Sequence, residues 1–397
     1  MKLASRVHRI DPFYVMELGK AAQALAAGPA CDPARGGRRM LALNIGEPDF
    51  GPAARVRAAA VEVASGADTA YTPALGLPRL REKISTWYAE RFGLVIAPER
   101  IAITAGASAA LQLACLALFE QGDEVLMPDP CYPCNRHFVA ATEALPRMLP
   151  TAAAQRFQFD PSQVREAWTP NTRGVLLASP GNPTGTSIEP AALRDIVGFV
   201  AERGGVSILD EIYLPLSFDD RFGRSALSLA GGLGEQIVSV NSFSKYFGMT
   251  GWRLGWLVLP PALVPAIERL AQNLYICPST LAQKAALACF EPESIAEFER
   301  RRQTLRERRD FIVPALNALG LHVPVPPDGA FYAWMDVSRF HASSWDFAFE
   351  LLQRAQVALA PGRDFSLADP QHWMRLSYAS SMEDLHEAVG RLREVLA

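Results

Sequence analysis

Short apolar runs alternate with longer stretches of helical period through the middle of the chain, the pattern of a parallel sheet wrapped by helices. Residues 101–104, 124–127, 174–179, 206–209, 237–241 and 254–259 are short and largely apolar, which predicts strands covered on both faces. Residues 108–119, 189–203 and 261–275 between them predict helices. After residue 290 the pattern changes. A charged helical stretch (295–316) leads to short strands at 330–336 and 373–378, and a helix at 382–396 closes the chain. The expected organisation is a large α/β domain over 46–290 and a smaller α+β domain over 291–397. Residues 1–45 are expected to pack with the smaller domain.

The periodicity puts polar residues just after the strands. Gly106, Ala107 and Ser108 follow the first, Asn182 the third, Asp210 and Tyr213 the fourth, and Ser242, Ser244 and Lys245 the fifth. Ligands of open α/β sheets bind at the carboxyl ends of the strands, so four segments deliver functional groups to one rim.

Composition narrows the class. The 397 residues are 49% hydrophobic and 20% charged, as in an ordinary globular protein, and long enough for two lobes. A formal net charge of −3 argues against nucleic acid or a membrane surface as the main partner. The run Arg300, Arg301, Arg302, Arg306, Arg308 and Arg309 is interleaved with Glu297, Glu299, Glu307 and Asp310, which reads as a solvated helix face. Residues 1–12 have no apolar core of a secretory signal. Residues 101–119 carry no charge, but Thr104, Gly106, Ser108 and Gln112 break them into strand, turn and buried helix rather than a membrane span. A cytoplasmic protein is expected. Cys131 and Cys134 have CxxC spacing, yet no second pair or His cluster completes a zinc site, so no metal is expected.

A lysine after a buried strand, flanked by hydroxyls, is an expensive choice for core packing. Lys245 makes sense as a Schiff-base nucleophile, with Ser242, Ser244 and Arg253 gathering around a phosphate. The turn Ala105-Gly106-Ala107-Ser108 can present helix N–H groups to the same anion, although it has neither the Walker nor the dinucleotide spacing. Asp210 at a strand end calls for a cationic partner such as a pyridinium nitrogen, or it caps the next turn.

Ordered motifs carry a resemblance over nearly the whole chain. They are Gly46-Glu47-Pro48-Asp49-Phe50, Tyr71-Thr72-Pro73, Gly181-Asn182-Pro183-Thr184-Gly185 and Asp210-Glu211-Ile212-Tyr213. Ser242-Phe243-Ser244-Lys245, Gly251-Trp252-Arg253-Leu254-Gly255 and Met374-Arg375-Leu376-Ser377 complete the series. Together they resemble the class I/II aminotransferases of pyridoxal-phosphate fold type I, in the aspartate-aminotransferase-like branch. The resemblance implies a mostly parallel seven-stranded sheet flanked by helices, plus a small α+β domain built from both chain ends. It implies pyridoxal 5′-phosphate as cofactor and ping-pong transfer from an L-amino acid to a 2-oxo acid through a Lys245 aldimine. Asp210 would pair with the pyridinium, Asn182 and Tyr213 would bond the phenolic oxygen, and Tyr132 would stack on the ring. Gly106, Ala107, Ser108, Ser242, Ser244 and Arg253 would bind phosphate. Arg375 would take the α-carboxylate, helped by Asn182 and the backbone at Gly46. Tyr71 would reach the phosphate of a second subunit, implying a homodimer with shared sites. Gly181 and the Cys131 and Cys134 flanks of Tyr132 depart from the family pattern.

Two other readings remain open at this stage. A lyase or synthase uses the same residues to labilise a bond at Cα. An effector-sensing regulator would need a DNA-binding module before Gly46, where only 45 residues stand.

Overall fold

The computed structural model describes residues 1–229, 233 and 236–397. Leu41–Ala42 (β1) lies apart from the main sheet. The strands of that sheet are Ile101–Thr104 (β2), Glu124–Asp129 (β3), Leu145–Pro150 (β4), Thr172–Ala178 (β5), Val206–Asp210 (β6), Ile237–Ser242 (β7) and Gly255–Val258 (β8). Their seven-stranded order is β2-β8-β7-β6-β5-β3-β4. The β4-β3-β5-β6-β7 pairings are parallel, whereas β8 runs antiparallel to both β7 and β2. From the β3–β5 pair the chain winds to β4 on one side and to β6 and β7 on the other. A crevice opens at such a switch point, beyond the carboxyl ends of the strands.

Alternation along the strands feeds two cores. Val125, Met127, Leu176, Ile208, Val238 and Val240 face the helices Gly106–Leu118 and Val264–Leu274. Leu126, Val175, Leu177, Leu209 and Ile237 point to the other face, where Trp87, Phe243 and Trp256 pack. Covering both faces is what made these strands short and apolar in sequence.

The C-terminal part holds Tyr332–Asp336 (β9), Val357–Ala358 (β10), Ala360–Pro361 (β11) and Trp373–Ser377 (β12). β9, β12 and β11 form an antiparallel sheet, while β10 pairs in parallel with β1. Both chain ends therefore meet here. Among the described residues, no helix is long and apolar enough to cross a membrane.

Three features depart from the expectations. β4 was not foreseen because Pro146, Arg147 and Pro150 break its apolar pattern; prolines are tolerated on an edge strand, where one side needs no partner. The antiparallel direction of β8 does not follow from its composition. The helix Pro292–Ala318 is not simply a solvated basic face. Arg308 is buried and grips both oxygens of Asp49, at 2.7 and 2.8 Å, with its guanidinium 4.9 Å from the Phe50 ring centre. Arg301 and Arg302 do pair along the helix, with Glu297 and Glu299. The Arg308 pair ties the Gly46–Phe50 segment, which reaches the crevice, to the C-terminal part.

Candidate active site

The crevice is built from strand ends and one crossing segment, Asn44-Ile45-Gly46. The Nζ of Lys245 donates to the carbonyl of Gly46 at 2.6 Å, and Nη2 of Arg375 donates to the carbonyl of Asn44 at 2.7 Å. Two carbonyls, two residues apart, thus hold an amine and a guanidinium at a set separation. Arg375 is only 3% exposed. Its Nη1 donates to Oδ1 of Asn182 at 2.7 Å, and its guanidinium carbon lies 4.4 Å from the Tyr332 ring centre and 4.6 Å from that of Phe365. Its Nε is buried and has no hydrogen-bond partner among the described residues. A buried cation with a free donor and no carboxylate among its hydrogen-bond partners suits an incoming anion.

Lys245 follows β7. Burial, with the Arg375 charge adding to it, lowers its amine to about 8. Asp210 ends β6, buried, with Oδ1 accepting from the Ile212 N–H at 3.2 Å. Burial raises this carboxyl to about 7, against the lowering effect of that N–H. A neighbouring cation would restore its charged form. Tyr213 is buried, and its hydroxyl lies 2.7 Å from that of Tyr332. A side chain at Gly46 would strike the Tyr332 hydroxyl, its Cβ only 2.5 Å away.

The corner around Gly106 and Arg253 is tighter than sequence suggests. Gly106 has φ of +84°, and a Cβ there would lie 2.5 Å from Nη2 of Arg253. Glycine is required both by that backbone conformation and by the close approach of the guanidinium. Gly106 opens the helix Gly106–Leu118, followed by Ala107 and the exposed Ser108. Arg253 itself is anchored by Nη1 to the carbonyl of Thr250 at 2.9 Å. Ser242 and Ser244 are both buried, with the Ser244 N–H donating to the Ser242 Oγ at 2.9 Å.

Tyr132 follows β3, and burial raises its hydroxyl above the usual range, with Tyr332 and Asp210 adding to the effect. Cys131 and Cys134 are free thiols. Burial raises both, Cys131 to about 12, so neither has the character of a reactive thiolate. Tyr71 stands outside this cluster. It is 80% exposed, and among the described residues its side chain makes no hydrogen bond or ring contact.

Sequence reasoning missed Asn44, Tyr332 and Phe365. Asn44 acts through its carbonyl, which any residue could supply, and Tyr332 sits in the apolar run of β9 like a core aromatic. The carbonyl of Asn44 bonds Arg375, and that of Gly46 bonds Lys245.

The family described as Aminotransferase class I and II matches residues 38–392. A valine–pyruvate aminotransferase of Mycobacterium tuberculosis is 37% identical over 96% of each chain. A solved aminotransferase structure from Mycobacterium tuberculosis superposes with a TM-score of 0.92 at 36% identity, covering 100% of this chain and 99% of the other. Aspartate aminotransferase from Thermus thermophilus with maleate gives a TM-score of 0.90 at 32% identity, covering 100% of both.

One property of the site can be measured without any ligand. An ordinary lysine amine is neutral in well under about 1% of molecules at pH 8. Lowering to about 8 makes Lys245 half neutral there. In the cofactor-free protein, an amine-reactive reagent should modify Lys245 with a rate that rises through a midpoint near pH 8. A midpoint above 10, as for surface lysines, would contradict the geometry.

Proposed function

Because the chain belongs to the class I and II aminotransferases, we propose that its crevice binds an L-amino acid between Arg375 and Lys245 and passes the amino group to a 2-oxo acid. The observation that carries this reading is the Asn44–Gly46 ruler, which spaces a carboxylate-binding guanidinium from a neutral-ready amine.

The residues present fit pyridoxal phosphate, the cofactor of this family. Ser242, Ser244, Arg253 and the start of the helix at Gly106 supply donors for a phosphate. Asp210, uncharged in half of the molecules near pH 7, gains a partner when a pyridinium lies beside it. Tyr132 would offer a ring to stack, and Asn182 and Tyr213 would offer polar groups to the cofactor. When bound, the cofactor supplies an aldehyde for condensation with an amine and a ring that accepts the electron pair left at Cα.

Each side chain then has a task. Lys245 would be the amine that holds the cofactor, and its free amine would carry a proton to and from Cα. Arg375 binds the α-carboxylate through two parallel bonds, giving up or sharing its contacts to Asn182 and Asn44. Asp210 keeps positive charge near the ring as negative charge develops. Tyr332 and Phe365 cover the guanidinium and limit access of water, which strengthens its attraction for an anion. We also propose that residues 1–45 and 291–397 act as the small domain closing on residues 46–290. The free thiols fit a reducing compartment, and a cytoplasmic setting is proposed with them.

A second copy of the chain is part of this proposal. Leu274, Ile276 and Leu281 are exposed beside Thr280, whose hydroxyl bonds the carbonyl of Ala70 at 2.8 Å. That apolar surface, with exposed Tyr71 at its side, suits a two-fold contact through which Tyr71 reaches the other phosphate site. Sedimentation should give a dimer; a monomer with full activity would remove Tyr71 from the site.

Single-turnover absorbance of the cofactor-loaded enzyme separates the two charged roles. Arg375→Ala should require at least ~10²-fold more amino acid for half-maximal rate, the scale of losing a desolvated charge-assisted pair. Asp210→Asn should bind substrate normally but react at least ~10²-fold more slowly at saturation, as when one electrostatic stabiliser is lost. Unchanged half-saturation in the first variant, or an unchanged rate in the second, would overturn that assignment.

A further inference from the structure

Asp364 is 1% exposed and belongs to none of the motifs around the crevice. Both of its carboxylate oxygens accept backbone N–H groups at the start of the helix Tyr14–Ala26. Tyr14 N donates to Oδ1 at 2.8 Å and Val15 N to Oδ2 at 2.6 Å. That helix has no side-chain cap of its own, since Phe13 stands at the N-cap and offers no acceptor. The first N–H groups of a helix lack partners within it, and a carboxylate there is favoured further by the helix dipole. The cap comes from 350 residues away.

The same residue is bonded to the helix Pro133–Ala141, which follows β3. Its carbonyl accepts from Nη1 of buried Arg136 at 3.0 Å, one turn beyond Tyr132. Phe365, the next residue, lies over Arg375 and accepts the N–H of Cys131 through its carbonyl at 2.9 Å. Oδ2 of Asp129 takes the N–H groups of Leu367 and Ala368 at 2.8 and 3.0 Å. Residues 364–368 are thereby stitched to the turn that carries Tyr132. On the other side, the Phe13 ring stands edge-on to Tyr132 with centres 6.5 Å apart. Arg363 lies over the Tyr14 ring at 4.0 Å. Asp364 thus joins three distant parts of the chain, its carboxylate holding residues 14 and 15 and its backbone carbonyl holding Arg136.

We infer that Asp364 is a positioning residue for the amino substrate: its carboxylate fixes Phe13 against Tyr132 and beside Phe365, completing the pocket wall next to Arg375. The inference rests on the reading of Arg375 as the carboxylate binder. Without the clamp, two helix N–H groups lose their acceptors, Phe13 loses its fixed place, and water gains access beside Arg375. Substrate binding should suffer more than the chemical step, because neither Lys245 nor Asp210 touches the clamp.

The test uses the cofactor-loaded enzyme with Asp364→Asn, Phe13→Ala and the double variant. Asn keeps one acceptor but turns an N–H₂ toward the second backbone donor. Asp364→Asn should raise KM for the amino donor about fivefold or more, the scale of losing a helix cap, with kcat within about threefold. Phe13→Ala should raise KM as well, and the double variant should be no worse than the worse single one, since the two act through one wall. Amide exchange at residues 14–18 should accelerate in Asp364→Asn while the bound-cofactor absorbance is kept. Faster exchange with unchanged KM would make Asp364 a structural cap only and overturn the inference. Additive KM effects, or a fall in kcat at constant KM, would overturn it too. If Asp364→Asn fails to fold, Phe13→Ala still decides, because an unchanged KM there removes the wall. Arg375→Ala run alongside separates the two levels: an unchanged KM in that variant would sink the underlying reading instead.

Discussion

Everything in the crevice depends on two cations, the buried Arg375 and the part-buried Lys245, being held by backbone carbonyls only two residues apart. A guanidinium and an ammonium brought close together in a protein interior repel each other, and each costs several kcal/mol to strip of water. The structure answers differently for the two. Arg375 stays charged, accepted by Asn44 and Asn182 and covered by two aromatic rings, whereas Lys245 is driven toward neutrality. A neutral amine is a nucleophile, and a permanently charged guanidinium is an anion receptor. Desolvation of the Lys245 amine, with the Arg375 charge adding to it, therefore creates the difference in chemistry that amino-group transfer requires.

The fold exists to bring those groups together from far apart in sequence. Lys245 and Asp210 come from adjacent strand ends of the large sheet, Arg375 from β12, and the carbonyl ruler from the segment that follows β1. The ruler is fixed at both ends. The pairing of β1 with β10 holds one end, and the bidentate pair of Asp49 with buried Arg308 holds the other. Both clamps tie the segment that carries the two carbonyls to the C-terminal part.

Much of this was legible in the chain, for a physical reason. Strands covered on both faces must be short and apolar, so β2, β3, β5, β6 and β7 announce themselves, and an acid or lysine at their ends stands out as costly. β4 was hidden because an edge position tolerates Pro146 and Pro150. Lys245, Asp210, Asn182 and Arg253 could be picked out because each needs a partner that its local sequence does not supply. Asn44, Tyr332, Asp364 and Phe365 could not. Asn44 contributes a carbonyl, Tyr332 and Phe365 look like core aromatics, and Asp364 caps a helix at the other end of the chain. Such roles arise from juxtaposition, which leaves no local pattern to read.

The central claim is that Lys245 is the amine which carries pyridoxal phosphate. Borohydride reduction of the purified, cofactor-loaded protein, followed by peptide mass mapping, tests it most directly. One pyridoxyl group per chain, on the peptide containing Lys245, is the predicted result. A reduced adduct on any other lysine, or none on a protein that retains transaminase activity, would contradict the account.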